Sequence, residues 1–128
     1  MSSLPDSGAQ IAVTGASGFI GRRLVVALNE AGYRTRVLMR RDPVDALWRG
    51  LQPEVVAGDL GDADALQRLV RGADAVIHLA GLIKATSRKA FMATNRDGSA
   101  RVAQACHDAG VPLLQVSSIA ARAPRLSD

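Results

Sequence analysis

The sequence has very little cysteine, few aromatic residues and no long hydrophobic run. Its single cysteine, Cys106, cannot form an internal disulfide, and with the neighbouring His107 it offers too few ligands for a structural zinc site. No apolar segment approaches the roughly 20 residues that cross a bilayer, and residues 1–10 lack the basic start and hydrophobic stretch of an export signal. We therefore expect a cytoplasmic protein with no metal and no membrane contact.

Aromatic residues make up only 3% of the chain, which argues against a nucleic-acid surface built on base stacking. The net charge is +4, but the 16 basic residues are scattered, and all except Lys84 and Lys89 are arginine. Biased codon usage explains this arginine content better than an electrostatic function does. We predict no nucleic-acid partner.

What remains is the composition of one compact domain. A chain of 128 residues, 48% of them hydrophobic, is long enough to bury a core without disulfides or metals. Residues 1–9 are rich in turn-forming residues and are predicted to form a flexible tail. Residues 10–128 are predicted to form a single domain.

Short apolar runs alternate with helical patterns along this domain. The runs predict strands at 10–14, 34–39, 54–57, 74–79 and 112–116, separated by helices at 19–31, 43–49, 63–70 and 87–109. The first helix carries one apolar stripe, formed by Phe19, Ile20, Leu24, Val25 and Leu28. Gly98, inside the last helix, is the residue least favourable to one unbroken helix there. The alternation predicts an α/β Rossmann-type fold, a doubly wound parallel sheet of strand order 3-2-1-4-5 that binds ligands at the carboxyl ends of strands one and four.

A glycine-rich segment, Thr-Gly-Ala-Ser-Gly-Phe-Ile-Gly at 14–21, joins the first strand to the first helix. Gly15 permits a tight turn, Gly18 lets backbone amides approach a phosphate, and Gly21 lets the helix pack close to the sheet. A P-loop is excluded because Gly21 is followed by arginine rather than by lysine and then serine or threonine. A purely structural turn is the alternative, but the context favours a pyrophosphate site formed by Gly15, Ser17, Gly18, Phe19, Ile20 and Gly21.

The glycine-rich segment and four later motifs resemble the short-chain dehydrogenases/reductases, most closely the extended branch of NAD-epimerases/dehydratases and dihydroflavonol-reductase-like enzymes. The later motifs are Gly-Asp-Leu at 58–60, Val-Ile-His-Leu-Ala-Gly at 76–81, Thr-Asn-Arg-Asp-Gly-Ser at 94–99 and Val-Ser-Ser at 116–118. The resemblance covers nearly the whole chain in the right order. It implies an NAD(P)-dependent oxidoreductase or epimerase that acts on a hydroxyl or carbonyl of a sugar nucleotide or related small molecule.

The resemblance also implies roles around the cofactor. Asp59 is expected to accept a hydrogen bond from the adenine amino group and Leu60 to pack on the ring, unless residues 58–59 are only a turn that caps the next helix. The backbone is expected to pass close to the nicotinamide-side ribose, where the contributing residues are Leu79, Ala80 and Gly81. His78, on an apolar strand, is expected to be a packed residue rather than a catalytic one.

Two further positions carry expectations from the resemblance. Asn95 is expected to support the active-site end of the sheet, with an exposed helical asparagine as the alternative. Ser118 is expected to be catalytic, because its hydroxyl can hydrogen-bond a reacting oxygen at the end of strand five. Ser117 is the alternative catalytic residue, and an ordinary loop role for both serines is the other alternative.

The chain departs from the family pattern after this serine. The family places a Tyr-x-x-x-Lys pair there, but the only tyrosine here is Tyr33, just before strand two. We therefore expect a fragment, inactive alone, of a longer enzyme whose sixth strand and substrate region lie beyond this chain. A non-catalytic NADP(H)-binding scaffold or sensor module is the alternative. Without a sixth strand, strand five would be an exposed edge that can pair with another chain.

The end of strand two favours NADP(H) over NAD(H). NAD-specific domains commonly carry Asp or Glu about 20 residues beyond the glycine loop. Arg40 and Arg41 hold that place here, and guanidinium groups can bind a 2′-phosphate with paired, charge-assisted hydrogen bonds. Asp42 reaching the ribose of NAD(H) is the alternative.

Overall fold

The computed structural model describes residues 8–16, 19–39, 53–80 and 88–117. Within these residues the elements, in chain order, are β1 (Gln10–Thr14), α1 (Phe19–Glu30), β2 (Arg34–Met39), β3 (Glu54–Ala57), α2 (Ala63–Val70), β4 (Ala75–Ala80), α3 (Arg88–Ala109) and β5 (Leu113–Ser117). The helix predicted at 43–49 and residues 1–7 of the predicted tail lie outside the described residues.

The five strands form one parallel sheet in the order β3-β2-β1-β4-β5, which confirms the predicted fold. β1 lies at the centre, where Val13 pairs with Val37 of β2 and with Ile77 of β4. All five residues of β1 are buried, as expected for a strand covered on both faces. The carboxyl ends of all five strands therefore meet at one edge of the sheet.

Alternate residues of the strands contribute to two separate hydrophobic cores. On one face, Ile11 and Val13 of β1 pack in a core with Val25 and Leu28 of α1. On the other face, Ala12 packs in a core that α2 and α3 close, with Leu66, Leu69, Val102 and Cys106 among its members. The helices thus lie on both faces of the sheet. Within the second core, burial raises the pKa of the Cys106 thiol.

The apolar stripe predicted on α1 is wrong at Ile20. This side chain is 49% exposed, whereas Val25 and Leu28 are buried with Gly21. Because Gly21 has no side chain, the helix packs closely against the sheet at that point, and positions four and seven residues later face the core. Ile20 is left on the outside of the first helical turn.

The helix ends follow the sequence closely. Asp62 caps α2, since its Oδ1 accepts a hydrogen bond of 3.1 Å from the amide of Ala65. Gly32 and Gly110, both with positive φ, follow the ends of α1 and α3. The long helix predicted at 87–109 is confirmed, because α3 runs without interruption through Gly98 from Arg88 to Ala109.

One arginine ties β2 to the carboxyl end of α2. Nη1 of Arg36 donates to the backbone carbonyls of Leu69 at 3.0 Å and Arg71 at 2.6 Å, and its Nε lies 3.1 Å from Glu54 Oε1. Helix carbonyls in the last turn lack partners within the helix, so a cation there satisfies them. The contact fixes the orientation of α2, and with it the turn that precedes α2 at the carboxyl edge of the sheet.

β5 is the terminal strand of the described sheet, as the sequence predicted. Leu114 and Val116 are each 42% exposed on it. Self-association through this strand stays a prediction. No helix among the described residues is both long enough and apolar enough to cross a membrane.

Candidate functional site

All five strands are parallel, but the direction in which successive strands are added to the sheet reverses between β1 and β4. From β1 the strand order runs to β2 and β3 on one side, and to β4 and β5 on the other. In open α/β sheets the connections from such a pair of strands leave in opposite directions, which opens a crevice at their carboxyl ends. Gly15 directly follows β1 at this place, and β4, which pairs with β1, ends at Ala80.

The glycine-rich segment is packed too closely for side chains at two positions. Gly15 has a φ of +79°, and a Cβ on it would lie 2.9 Å from both the Cβ and the carbonyl oxygen of Leu79. A Cβ on Gly21 would lie 2.7 Å from Ala16 Cα and closer still to the carbonyl oxygen of Gly15. Real Cβ atoms almost never approach this closely, so the turn requires glycine at both positions.

α1 begins immediately after this turn. Phe19 is its first residue, and the exposed Ile20 lies in its first turn. The first amides of a helix lack partners within the helix and carry the positive end of its dipole, which suits an anion. Ser17 and Gly18, predicted to complete the phosphate contacts, lie outside the described residues.

A buried polar network lies directly behind the turn. Thr14 Oγ1 is 2.5 Å from Nδ1 of His78, and Nε2 of the same ring is 3.0 Å from Ser99 Oγ. A neutral imidazole has one donor and one acceptor nitrogen, and each hydroxyl can serve as either partner. His78, only 2% exposed, therefore joins β1, β4 and α3 as a packed residue, in agreement with the sequence interpretation.

Burial lowers the pKa of His78 below its ordinary value of 6.5, because the charged ring would lose its hydration. Below about pH 6.5 the His78 ring is therefore protonated in the unfolded chain, whereas in the folded protein it is protonated only at a lower pH. We predict that the free energy of unfolding falls as the pH is lowered from 7.5 to 5.5, with a slope of up to about 1.4 kcal/mol per pH unit.

Urea unfolding at several pH values measures this slope. His78→Gln is expected to abolish it over that range, whereas His107→Gln, at an exposed position in the last turn of α3, is expected to retain it. A wild-type protein equally stable at pH 7.5 and 5.5 would contradict the prediction, as would an unchanged slope in His78→Gln.

Asp59 and Leu60 follow β3 at the same edge of the sheet. Asp59 Oδ1 accepts a hydrogen bond of 2.9 Å from the amide of Gly61, which orients the exposed carboxylate. The N-cap of α2 is Asp62, and Asp59 belongs to the turn before it, since the Asp59 carbonyl accepts a hydrogen bond of 3.0 Å from the amide of Asp62. An open depression of about 740 Å³ lies here, lined by Gly58, Asp59, Gly61, Asp62, Ala63 and Asp64.

Other predicted site residues are placed only by their backbone. Met39 ends β2 beside Ala57 of β3, and Arg40 and Arg41, which follow it in the sequence, lie outside the described residues, as does Gly81. Asn95 lies within α3. Ser117 ends β5 beside Ala80, and Ser118 again lies outside the described residues.

Sequence reasoning missed two partners at this site. Thr14 and Ser99 were present in the recognised motifs, but they received no role of their own. The signal was a buried histidine at the carboxyl half of a central strand, which needs two polar partners. Among the described residues, no three His, Cys, Asp or Glu side chains are grouped as metal ligands.

The sheet order, the reversal between β1 and β4 and the packing of the glycine turn define a Rossmann-type fold with a dinucleotide crevice. The chain matches the model of the NAD dependent epimerase/dehydratase family over residues 11–126 and belongs to that family. It falls in the extended branch of the short-chain dehydrogenases/reductases, as the sequence motifs implied. The cofactor of this family is a nicotinamide dinucleotide.

Ceramide reductase of Caulobacter vibrioides is 52% identical to this chain over 123 residues, which are 96% of this chain and 39% of that protein. The (4-alkanoyl-5-oxo-2,5-dihydrofuran-3-yl)methyl phosphate reductase of Streptomyces griseus is 38% identical over 122 residues, 92% of this chain and 38% of that protein. The chain thus spans about two fifths of the length of these curated relatives.

Among solved structures, the chain is similar to a short-chain dehydrogenase/reductase superfamily protein from Agrobacterium tumefaciens with bound NAD. The two are 31% identical with a TM-score of 0.67, and the match covers 83% of this chain and 31% of that one. This agreement in backbone extends the likeness in sequence to the arrangement of the sheet and helices.

Proposed function

We propose that this chain is the NADP(H)-binding part of a reductase that transfers hydride between the nicotinamide and a carbonyl or hydroxyl carbon of a small molecule. The observation that carries the proposal is the packing of the glycine turn against β4. A Cβ at Gly15 or Gly21 would collide with backbone atoms, so the turn and the start of α1 are held close to the carboxyl end of β4. Because neither glycine carries a side chain, a pyrophosphate can approach the amides that begin α1.

The adenine half of the cofactor would lie towards β2 and β3. Both strands end at the same edge as β1, so the residues that follow Met39 and Ala57 are neighbours in the sheet order. Asp59, with one carboxylate oxygen held by the amide of Gly61, is oriented to accept from an adenine amino group with the other. Arg40 and Arg41 would bind the 2′-phosphate with paired, charge-assisted hydrogen bonds.

The nicotinamide half would lie over β4, where the backbone of Leu79, Ala80 and Gly81 would pass close to its ribose. Asn95 would support the active-site end of the sheet. Two relatives of this chain are named as reductases, which favours carbonyl reduction over a scaffold or sensor role. The sugar-nucleotide substrate implied by the family, the Tyr-x-x-x-Lys pair and a cytoplasmic location all stay predictions.

Cofactor titration tests the proposal directly. NADPH is expected to bind on the order of ten- to a hundredfold more tightly than NADH, because a well-placed charged hydrogen bond contributes about 1.5–3 kcal/mol. Much of this difference should disappear in Arg40→Ala. Fluorescence titration of both reduced cofactors at one fixed, modest salt concentration measures the ratio.

Arg101→Ala is the matched control, since it removes an exposed arginine from α3 and is expected to leave the ratio unchanged. Equal affinities for the two cofactors, or tighter NADH binding, would refute the NADP(H) preference. Failure of the wild-type protein to bind either cofactor would refute the proposed function itself.

A further inference from the structure

Gly98 is a buried glycine in the interior of α3, a place where glycine weakens a helix. A Cβ on Gly98 would lie 2.8 Å from Cδ1 of Leu60, with the Cβ and Cγ of the same leucine at 3.7 and 3.8 Å. Leu60 belongs to the turn between β3 and α2, far from Gly98 in the sequence. The end of the Leu60 side chain therefore occupies the space in which a side chain at position 98 would lie.

This contact differs from those of Gly15 and Gly21 in what would have to move. At those two positions an added Cβ meets backbone atoms, which the sheet and helix hold in place. At Gly98 it meets the terminal methyl of a leucine, which can rotate away about its side-chain torsions. Alanine at this position would therefore shift Leu60 rather than prevent folding, and the better helix propensity of alanine would offset part of the strain.

Leu60 is half-buried and packs against the core beneath α2 and α3, beside Asp59 and the open depression at the carboxyl edge. Its two neighbours in the sequence, Asp59 and Gly61, line that depression, where the adenine of the proposed cofactor would lie. The position of this side chain is set on one side by α3, at Gly98.

We propose that Gly98 is a positioning residue for cofactor binding, which fixes the Leu60 side chain where it packs against the adenine ring. The inference rests on the proposed function and deepens it, because it makes a residue of α3 a determinant of affinity on the adenine side. Gly98 itself touches no cofactor atom in this proposal and acts through Leu60.

Gly98→Ala is expected to weaken the binding of NADPH and of 2′,5′-ADP by a similar factor, roughly three- to tenfold. The two factors should agree because both ligands carry the adenine, whereas 2′,5′-ADP lacks the nicotinamide. Titration of each ligand, by NADPH fluorescence and by calorimetry, measures the change. The midpoint of thermal unfolding is expected to change little.

A double variant separates this role from a general effect on the helix. In the Leu60→Ala background the methyl group that Gly98 accommodates is absent, so adding Gly98→Ala should not weaken binding further. Ala103→Gly, at an exposed position of the same helix, alters helix propensity alone and should leave both affinities unchanged.

The inference is overturned if the Gly98→Ala protein binds both ligands as tightly as the wild type. It is also overturned if Gly98→Ala weakens binding equally in the presence and absence of the Leu60 side chain. A wild-type protein that binds neither NADPH nor NADH would remove the proposed function and this inference together, whereas wild-type binding with unaltered Gly98→Ala affinity removes this inference alone.

Discussion

Replacing Gly21 with alanine is expected to destabilise the protein by about 3 kcal/mol or more, at the upper end of the usual cost of overpacking. The new Cβ would lie 2.7 Å from Ala16 Cα and closer still to the carbonyl oxygen of Gly15. Both are backbone atoms of a turn that is itself packed against Leu79 of β4. No side-chain rotation relieves such a collision, so α1 must move away from the sheet.

Urea unfolding of the variant and the wild type measures this loss, and NADPH titration should show a matching loss of affinity. Gly61→Ala is the control, because a Cβ there would meet only Asp59 Oδ1, at 3.4 Å. That variant is expected to unfold at the wild-type urea concentration. Wild-type stability of Gly21→Ala would show that the turn is more adaptable than its packing indicates.

Replacing Ser118 with alanine in the whole enzyme is expected to lower kcat roughly ten- to a thousandfold while changing cofactor affinity little. β5 ends at Ser117, beside the Ala80 that ends β4, so the next residue in the sequence follows a strand end adjacent to the crevice. A hydroxyl there would hydrogen-bond the reacting oxygen of the substrate as its charge develops. Loss of this donor affects the transition state more than the bound cofactor.

Steady-state kinetics of Ser118→Ala and Ser117→Ala, with NADPH titration of each, distinguish the two serines. A large fall in kcat for Ser117→Ala alone would transfer the role to that residue. Unchanged kcat in both variants would refute the catalytic assignment altogether.

The strands were the most predictable part of this fold. β1, β2 and β3 begin and end at the predicted residues: β1 and β3 are short apolar runs followed by glycine, and β2 partly alternates polar with β-branched and aliphatic residues. β4 and β5 are displaced by one residue at each end, within the usual uncertainty of element boundaries. The strand order followed from the alternation of strands and helices, since parallel neighbours need helical crossovers.

Close approaches between distant segments were not predictable from local patterns. The helical period placed Ile20 with the buried residues, but the packing of Gly21 against Gly15 turns that position outwards. Helix propensity disfavours glycine at position 98, whereas the close approach of Leu60 accounts for glycine at that position in an uninterrupted helix. In both cases a tertiary contact overrides the local preference.

The candidate site likewise has one part that the sequence predicts and one part that it does not. The glycine turn could be recognised because its residues are consecutive and its spacing has a physical meaning. The network of Thr14, His78 and Ser99 could not, because its members lie 64 and 21 residues apart and meet only through the topology of the sheet.

The central position of β1 also constrains the order in which the protein can fold during synthesis. β1 is made first, but its partner β4 pairs with it in a register that joins Ile11 to Ala75, 64 residues later. At about 5–20 residues per second, the ribosome needs roughly 3 to 13 s to reach that partner. Throughout this interval one edge of β1, with the apolar residues Ile11, Ala12 and Val13 at its centre, is unpaired, and an unpaired apolar strand edge favours aggregation of the nascent chain.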